Sequence, residues 1–392
     1  MTICPEERCT GCGACQSACP ADCITLALNR AGDRVAVIDE SRCTRCGKCS
    51  RICPVLHPPV LHESRTALAA YAVEAQVRQS SASGGVAAVL ARQVVESDGC
   101  AYGAAFTAPT TVELVRVDAP AQLSRLQGSK YVHAATGSAY RKVQSDLKAG
   151  RQVLFTGTPC QVAGLYAYLG SDPPGLTTCD LVCHGVPEAD TLNAYLQTEL
   201  NPAAIARLTF RDGDGWVMKA YDRDGGVLRR MDLKNSLYYN GFMEGYLYRT
   251  GCYTCPYATE KRVADLTLGD FWGIGEETPY PNAAAELKKG LSLILVHTDK
   301  GQALLNACAP ALVTTVRTPA EAVKKNHQLR HPTPDSPAAR RFHNLYGKKG
   351  AAYAIANCNE KKRRTLRLRH IIRQCPPLLA LCRKIPKLRD KL

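Results

Sequence analysis

Two copies of one cysteine run constrain this chain more than anything else in it. The first reads Cys9-x-x-Cys12-x-x-Cys15-x-x-x-Cys19-Pro20, and after 23 intervening residues it returns as Cys43-x-x-Cys46-x-x-Cys49-x-x-x-Cys53-Pro54. This is the bacterial two-cluster spacing, in which three thiolates of one run hold a cluster and the fourth ligates the other. It assigns Cys9, Cys12, Cys15 and Cys53 to one [4Fe–4S] cluster and Cys43, Cys46, Cys49 and Cys19 to the second. The short loops let three sulfurs converge on one cube, and the proline after each fourth cysteine turns the chain away. Zinc is the competing metal, but it usually takes its thiolates as two separated Cys-x-x-Cys pairs. Two clusters imply electron transfer.

With 392 residues the chain is long enough for two or three domains, and 45% hydrophobic content with 22% charge is ordinary for a globular protein. Twenty cysteines would suggest disulfides in a small secreted protein, but eight here already have a metal to bind. The first ligand arrives at residue 9, ahead of any signal peptide, and free thiolates suit a reducing interior. The sequence therefore predicts a cytoplasmic protein. No apolar run approaches the roughly 20 residues needed to span a bilayer.

The net charge of +15 is unevenly placed. Residues 359 to 392 carry twelve Lys or Arg against Glu360 and Asp390, so most of the excess lies in one tail. Lys361 to Arg373 can form a basic helix with Leu366, Leu368, Ile371 and Ile372 among the charges, broken by Pro376-Pro377 and followed by Leu378 to Leu381. A solvated tail is the plain reading. The sharper one is docking on an acidic partner or on anionic lipid, which would make the protein peripheral to the inner face of the membrane. Nucleic acid is not expected, since the segment lacks aromatics for base stacking.

Residues 1 to 56 read as the two-cluster domain, with a short strand at Val35 to Ile38, and residues 57 to 66 as a linker. Cys4 and Cys23 fall outside the spacing and read as small buried residues. From 67 onward strands and helices alternate without a strict repeat. Strands are predicted at Ala67–Val73, Cys100–Phe106, Val112–Val117, Gln152–Thr156, Leu176–Val182, Ala264–Leu268 and Leu291–Val296. Helices are predicted over Val86–Val95, Ala121–Leu126, Ser138–Lys148, Gln161–Leu169, Pro187–Leu200 and Lys300–Cys308. A small antiparallel sheet is predicted across 205 to 231, broken at Asp212-Gly-Asp-Gly215 and Asp224-Gly-Gly226. The fold class is mixed α/β: a small two-cluster domain followed by a larger α/β domain. After about 350 the core signal fades.

Four further cysteines sit in polar, glycine-rich company: Cys160 in Thr-Gly-Thr-Pro-Cys-Gln, Cys183 in Cys-His-Gly-Val-Pro, and Cys252 and Cys255 in Gly-Cys-Tyr-Thr-Cys-Pro. Cys160 and Cys183 follow strands, where ligands gather at one edge of an α/β sheet. A metal site, a redox disulfide and plain buried thiols all fit this pattern. Cys179 is a competing ligand.

These segments resemble a known family. Phe155-Thr-Gly-Thr-Pro-Cys-Gln-Val-Ala-Gly164, Cys183-His-Gly-Val-Pro187 and Gly251-Cys-Tyr-Thr-Cys-Pro256, followed by Ala264-Asp-Leu-Thr-Leu-Gly-Asp-Phe-Trp-Gly273, are similar to motifs of the coenzyme F420 hydrogenase/dehydrogenase β-subunit family. Ser80-Ser-Ala-Ser-Gly-Gly85 and Gly128-Ser-Lys-Tyr131 match its N-terminal part, so the likeness runs from about 67 to about 320. The resemblance implies an N-terminal part over 67–150, a C-terminal part over 151–350 and a basic tail over 359–392. It implies an iron–sulfur flavoprotein with FAD beside a [4Fe–4S] cluster, passing electrons between the flavin and a partner such as F420. It further implies Cys160, Cys183, Cys252 and Cys255 as ligands of a third cluster.

For the flavin, Ser83, Gly84 and Gly85 at a helix start offer close backbone approach to a pyrophosphate. Lys130 and Tyr131 could add a cation and a ring. Gly157, Thr158, Pro159 and Gln161 would set one loop against both flavin and cluster, while Asp270 and Trp272 either line the pocket or pack at a strand end. No Gly-x-Gly-x-x-Gly fingerprint follows a strand, which argues against a Rossmann nicotinamide site. No hydrolytic triad is present, and hydride chemistry needs no protein nucleophile. His184 is the one proton-handling candidate beside a ligand, with an ordinary hydrogen-bonded histidine as the plainer reading. The function implied is an FAD- and [4Fe–4S]-dependent oxidoreductase. Its partners would be a ferredoxin or a hydrogenase/dehydrogenase subunit, and a small-molecule hydride donor or acceptor. The alternatives are a non-catalytic relay subunit and a reductase of surface-polymer biosynthesis.

Overall fold

The structure, a computed structural model, describes residues 2–211 and 215–375. The tail beyond 375, including the break at Pro376-Pro377 and the apolar segment after it, lies outside the described residues. So does most of the Asp212–Gly215 turn.

The N-terminal unit is built on two short antiparallel strands, β1 (Ile24–Leu28) and β2 (Arg34–Ile38), with Ile24 opposite Ile38. Two short helices, Ala14–Ala18 and Lys48–Arg51, each open on a left-handed glycine, Gly13 and Gly47. The two halves therefore repeat in backbone conformation as well as in cysteine spacing.

The larger unit is organised by an eight-stranded sheet. Its strands in chain order are β3 (Thr66–Ala72), β4 (Cys100–Ala108), β5 (Thr111–Val117), β6 (Val153–Gly157) and β7 (Leu176–Leu181). A separate antiparallel ribbon follows, made of β8 (Arg207–Thr209), β9 (Met218–Tyr221) and β10 (Val227–Met231). The chain then returns to the main sheet with β11 (Leu266–Asp270), β12 (Ser292–Val296) and β13 (Leu312–Arg317). The spatial order is β13-β3-β12-β11-β7-β6-β4-β5. Its centre, β11-β7-β6-β4, is parallel, and antiparallel strands close both sides. The carboxyl ends of the four parallel strands thus share one edge, where an α/β sheet presents its loops to ligands.

Alternation along the strands builds a core on each face. On one face Leu154, Leu266, Leu268, Ile294 and Val296 pack under helices Val86–Glu96 and Asp299–Cys308. On the other, Val153 and Phe155 meet Tyr140, Val162, Ala163 and Leu165 from helices Ala139–Lys148 and Pro159–Leu169. The predicted strands and helices are present with small shifts of their ends, except that Pro120–Leu126 is 3-10. Strands β1 and β13 and the helices Leu237–Met243, Pro319–Lys324, Pro337–Lys349 and Ala351–Asn357 were not anticipated. The core also continues past 350, because Ala354 and Ile355 are buried against the main cluster. The basic helix forms as Glu360–Gln374, pinned at its start by Arg341–Glu360 and Lys362–Glu244 pairs. Among the described residues no helix is long and apolar enough to cross a membrane.

Candidate electron-transfer site

Cys160 is placed by a helix start. Thr158 caps the helix Pro159–Leu169, its backbone N–H donating to Gln161 Oε1 at 3.0 Å in a capping box, with Pro159 at the first helical position. Gln161 is fixed in turn by donating to the Ala134 carbonyl at 2.9 Å. Gly157, Thr158, Pro159 and Gln161 therefore act together to hold the Cys160 thiol off the end of β6.

Cys183 follows β7, and Gly185 beside it has φ 115; a Cβ there would stand 2.3 Å from the Tyr248 ring. Only glycine fits that packing. Cys252 and Cys255 come from the 3-10 turn Thr250–Thr254 and its end. The four thiols, drawn from three separate segments, line a single cavity with Thr10, His133, His184, Arg249 and Tyr257. Burial first, and then the neighbouring Cys160 and Cys255, push the Cys183 thiol up to about 12. Cys252 is raised by burial and by Cys183 and Cys255. Such thiols stay protonated at neutral pH unless a cationic centre draws the protons off. Cys179 instead lies within the core under β7, away from this cavity.

Two buried polar atoms in the cavity wall, Thr10 Oγ1 and His133 Nε2, have no partner in the protein. Buried donors without acceptors are uncommon, and the sulfides of a cluster would supply acceptors. A buried guanidinium, Arg249, borders the same cavity, and Arg262 lies close enough to influence Cys183 and Cys255. The donor set therefore fits an anionic iron–sulfur centre. Among the described residues no three His, Cys, Asp or Glu side chains converge as around a single metal ion.

In the N-terminal unit, burial and the nearby Cys12, Cys9 and Cys53 raise the Cys15 thiol, so one run's three thiols and the other run's fourth lie together. Cys4 contacts Cys53 and Cys9 through its thiol and lowers both. Around the second set, Cys23 Sγ stands 3.4 Å from Cys19 Sγ, and the Arg45 N–H donates to Cys43 Sγ at 3.4 Å. Cys4 and Cys23 are thus not merely small core residues: each touches thiols of the two runs.

The first set is the inner one. Cys12 is packed with Cys160, Cys252 and Cys255 around a common core, and a Cβ on Gly164 would lie 3.1 Å from Cys12 Sγ. Tyr257 is raised by burial and by Cys160, Cys12, Cys255 and Cys53, so it lies near thiols of both sets. Arg249 donates to the Cys9 carbonyl at 2.9 Å and to the Arg34 carbonyl at 3.0 Å, and pairs with buried Glu188. Thr136 adds a bond to the Cys12 carbonyl at 2.9 Å. The second set, by contrast, is open to solvent at Cys46.

Residues 150–322 match the sequence family described as the C terminus of the coenzyme F420 hydrogenase/dehydrogenase beta subunit, and residues 8–56 match the 4Fe-4S dicluster domain. Over residues 150–322 the chain is thus similar to the C-terminal part of F420 hydrogenase/dehydrogenase beta subunits. All four thiols of the cavity fall in the first match and both cysteine runs in the second. A chain of the F420-reducing [NiFe] hydrogenase complex from Methanosarcina barkeri, solved as a xenon derivative, is similar at 19% identity and TM-score 0.46. The similarity covers 65% of this chain and 83% of that one. No curated protein matches the chain. The dicluster domain gives the chain an iron–sulfur, electron-transferring role.

The residues predicted to meet a flavin fall at the same sheet edge. Asp270, Ser292 and Ala70 are neighbours across β11, β12 and β3, and Gly84 N–H donates to Ser292 Oγ at 2.9 Å. A Cβ on Gly84 would come within 2.3 Å of the Ala70 carbonyl, so the Ser83–Gly85 loop lies flat on the strand ends. The Ser83 hydroxyl there is buried without a partner. Tyr131 stacks on Phe242 at 4.3 Å and on Trp216 at 6.0 Å, and Trp216 stacks on Trp272 at 6.2 Å. Arg211 bonds Asp270 at 2.8 Å and lies 4.2 Å over Trp216. Lys130 behaves differently from the sequence expectation: its amine donates to the carbonyls of Arg125, Leu126 and Gln127, at 2.7 Å for the last. It caps a helix end. His184 is held near 4 by burial and by His327, whose ring is 5.9 Å away, so it is neutral at pH 7.

Arg249, Glu188, His133 and Tyr257 were missed in the sequence. The first three have no local spacing to mark them, whereas Tyr257 follows Cys255-Pro256 and could have been suspected from that position.

Proposed function

We propose that this chain is a cytoplasmic iron–sulfur flavoprotein oxidoreductase moving electrons between a ferredoxin-type carrier and a hydride donor or acceptor such as coenzyme F420. In this reading Cys9, Cys12, Cys15 and Cys53 hold an inner [4Fe–4S] cluster, Cys19, Cys43, Cys46 and Cys49 an outer one, and Cys160, Cys183, Cys252 and Cys255 a third, with FAD at the sheet edge. Bound flavin and clusters together supply the conversion between a hydride pair and single electrons. The chain's own residues do the rest. Tyr257 and the Cys12 loop bring the inner and third sites into contact, while Arg249 offsets negative charge at both. Tyr131, Trp216 and Trp272 offer flat faces to a planar ring system, and Ser83–Gly85 at the start of helix Val86–Glu96 offers N–H groups to a pyrophosphate. His184, neutral at pH 7, offers a hydrogen-bonding ring beside the third site.

The observation carrying this reading is the cavity in which thiols from three segments meet beside the inner dicluster thiols. The test is anaerobic turnover: reduced F420 should be oxidised with reduction of a viologen dye, and Cys183→Ser should abolish that coupling. Absence of turnover in flavin-replete protein would refute it.

One observation favours a second reading, a relay subunit of a larger hydrogenase or dehydrogenase complex without its own substrate. The Lys130 ammonium is taken up by carbonyls, which leaves one fewer cation for a dinucleotide. Co-purification with a catalytic subunit, together with the lack of flavin, would support it. At the other end of the chain, Leu368 and Ile371 are exposed among cations, which suits contact with anionic lipid.

A further inference from the structure

The two cysteine runs are equivalent in backbone and opposite in surface. Gly11, Ala14 and Ser17 of the first run correspond to Arg45, Lys48 and Arg51 of the second, counted from the first cysteine of each. The first three are buried, and the second three are exposed. Gly11 must be glycine, because a Cβ there would stand 2.7 Å from Arg249 Nη1. Ala14 is fully buried, and the Ser17 carbonyl accepts from Arg141 Nε at 2.8 Å. Small residues at these positions let the first run dock on the chain's own larger unit.

The second run presents the symmetry-related face to solvent with cations in place of small residues. From Ser41 to Arg51 it carries Arg42, Arg45, Lys48 and Arg51 and no acid, all four exposed around exposed Cys46. Two acids, Asp39 and Glu40, precede this stretch, and Asp39 accepts from the Ser41 hydroxyl at 2.6 Å. Arg51 is held by the Cys46 carbonyl at 3.0 Å and Arg42 by the Ala21 carbonyl at 3.0 Å. Arg45 and Lys48 form no ion pair among the described residues. Arg45 also keeps the left-handed turn of its partner Gly11, φ 54 against 63. A long side chain is disfavoured in that region, where glycine is not, which points to a use for the guanidinium.

We propose that this face is the docking surface for an acidic electron-carrier protein, with Arg45 and Lys48 as its principal contacts. The inference rests on the reading that Cys19, Cys43, Cys46 and Cys49 hold the outer cluster, and it assigns that cluster as the point of exchange with the carrier. In the exchange one electron leaves the reduced carrier and enters the outer centre, or the reverse; no bond forms or breaks and no proton is needed. The cations steer the encounter, and because they lie at the protein surface their effect is screened by salt. The inner run cannot serve, since its equivalent face is covered.

The test uses the intact, anaerobically prepared protein and an acidic plant-type ferredoxin as the probe. Affinity is measured by calorimetry with both partners oxidised, and electron transfer by stopped-flow mixing with the reduced ferredoxin. Wild type should lose affinity steeply with added salt. Arg45→Glu/Lys48→Glu should weaken binding and slow electron transfer by about tenfold or more, and should flatten the salt dependence. Iron content should be unchanged. If the double exchange lowers iron content, Arg45→Asn/Lys48→Ser keeps a residue that tolerates the left-handed turn and should show the same trend at smaller size. Unchanged affinity and rate in a variant with full iron content would overturn the proposal. Wild-type protein lacking the four irons of the outer site would instead overturn the cluster reading beneath it.

Discussion

Arg249 and Glu188 form an ion pair in which both side chains are 2% exposed, and Arg249 lines the cavity of Cys160, Cys183, Cys252 and Cys255. The pair also welds the two units, because Glu188 Oε1 accepts the Arg34 N–H at 2.9 Å and Arg249 reaches the Cys9 carbonyl. Removing one member leaves the other charged and buried, at a cost of roughly 3–5 kcal/mol. Glu188→Gln is therefore expected to lower the thermal midpoint sharply. If clusters occupy the inner set and the cavity, Arg249→Gln removes a cation that favours the reduced form of both. Its reduction potentials, followed by EPR, should fall by something on the order of 50 mV if the effective dielectric near the site is about 20. Arg249→Lys should restore most of that fall without restoring the bond to Cys9, which separates charge from architecture.

The buried histidine His297 gives the fold an acid limit. Burial, with Arg262 nearby, holds it near 3, against about 6.5 in an unfolded chain. A depressed folded-state value means that its contribution is complete above 6.5 and is lost as pH falls from 6.5 towards 3, at about 1.4 kcal/mol per pH unit. Thermal midpoints recorded from pH 7.5 to 5 should decline on the acid side. His297→Gln, which can keep a bond to Thr267 Oγ1 (2.9 Å from the ring nitrogen), should decline less.

The approach of helix Pro159–Leu169 to the N-terminal unit depends on Gly164. A Cβ there would stand 2.9 Å from Cys12 Cβ and 2.7 Å from the Tyr140 hydroxyl. Gly164→Val should destabilise by about 1–3 kcal/mol through overpacking. By pushing the inner site away from Tyr257, it should also slow electron passage between the dicluster domain and the third site, observed by freeze-quench EPR.

If flavin lies against the aromatic row, Trp216→Ala and Asp270→Asn should release it. Asp270 orients Arg211, and Arg211 in turn lies over Trp216, so both changes act on one face. The released flavin is measured by absorbance after gel filtration. Retention of full flavin in both variants would place it elsewhere.

What could be read in the sequence was whatever is local. The cysteines within one run lie three or four positions apart, so their spacing carries the chemistry directly, and the strand-to-helix turn at Gly157–Gln161 carries its own capping residues. Long-range partners leave no such trace. Glu188 and Arg249 are 61 residues apart and meet only because β7 and the turn before Cys252 share one sheet edge. Cys4 and Cys23 looked idle because neither lies in the repeat, although folding sets both against thiols of the two runs. The helix Ala351–Asn357 was overlooked because its core residues, Ala354 and Ile355, are few and sit just ahead of a strongly basic stretch.

Three sets of thiols and one sheet edge are proposed to hold three clusters and a flavin. Iron, acid-labile sulfide and flavin content of anaerobically purified protein test this most directly. About twelve iron atoms and one FAD per chain are expected, four irons for each cubane. About eight iron atoms and no flavin would contradict the proposal and leave the dicluster domain alone.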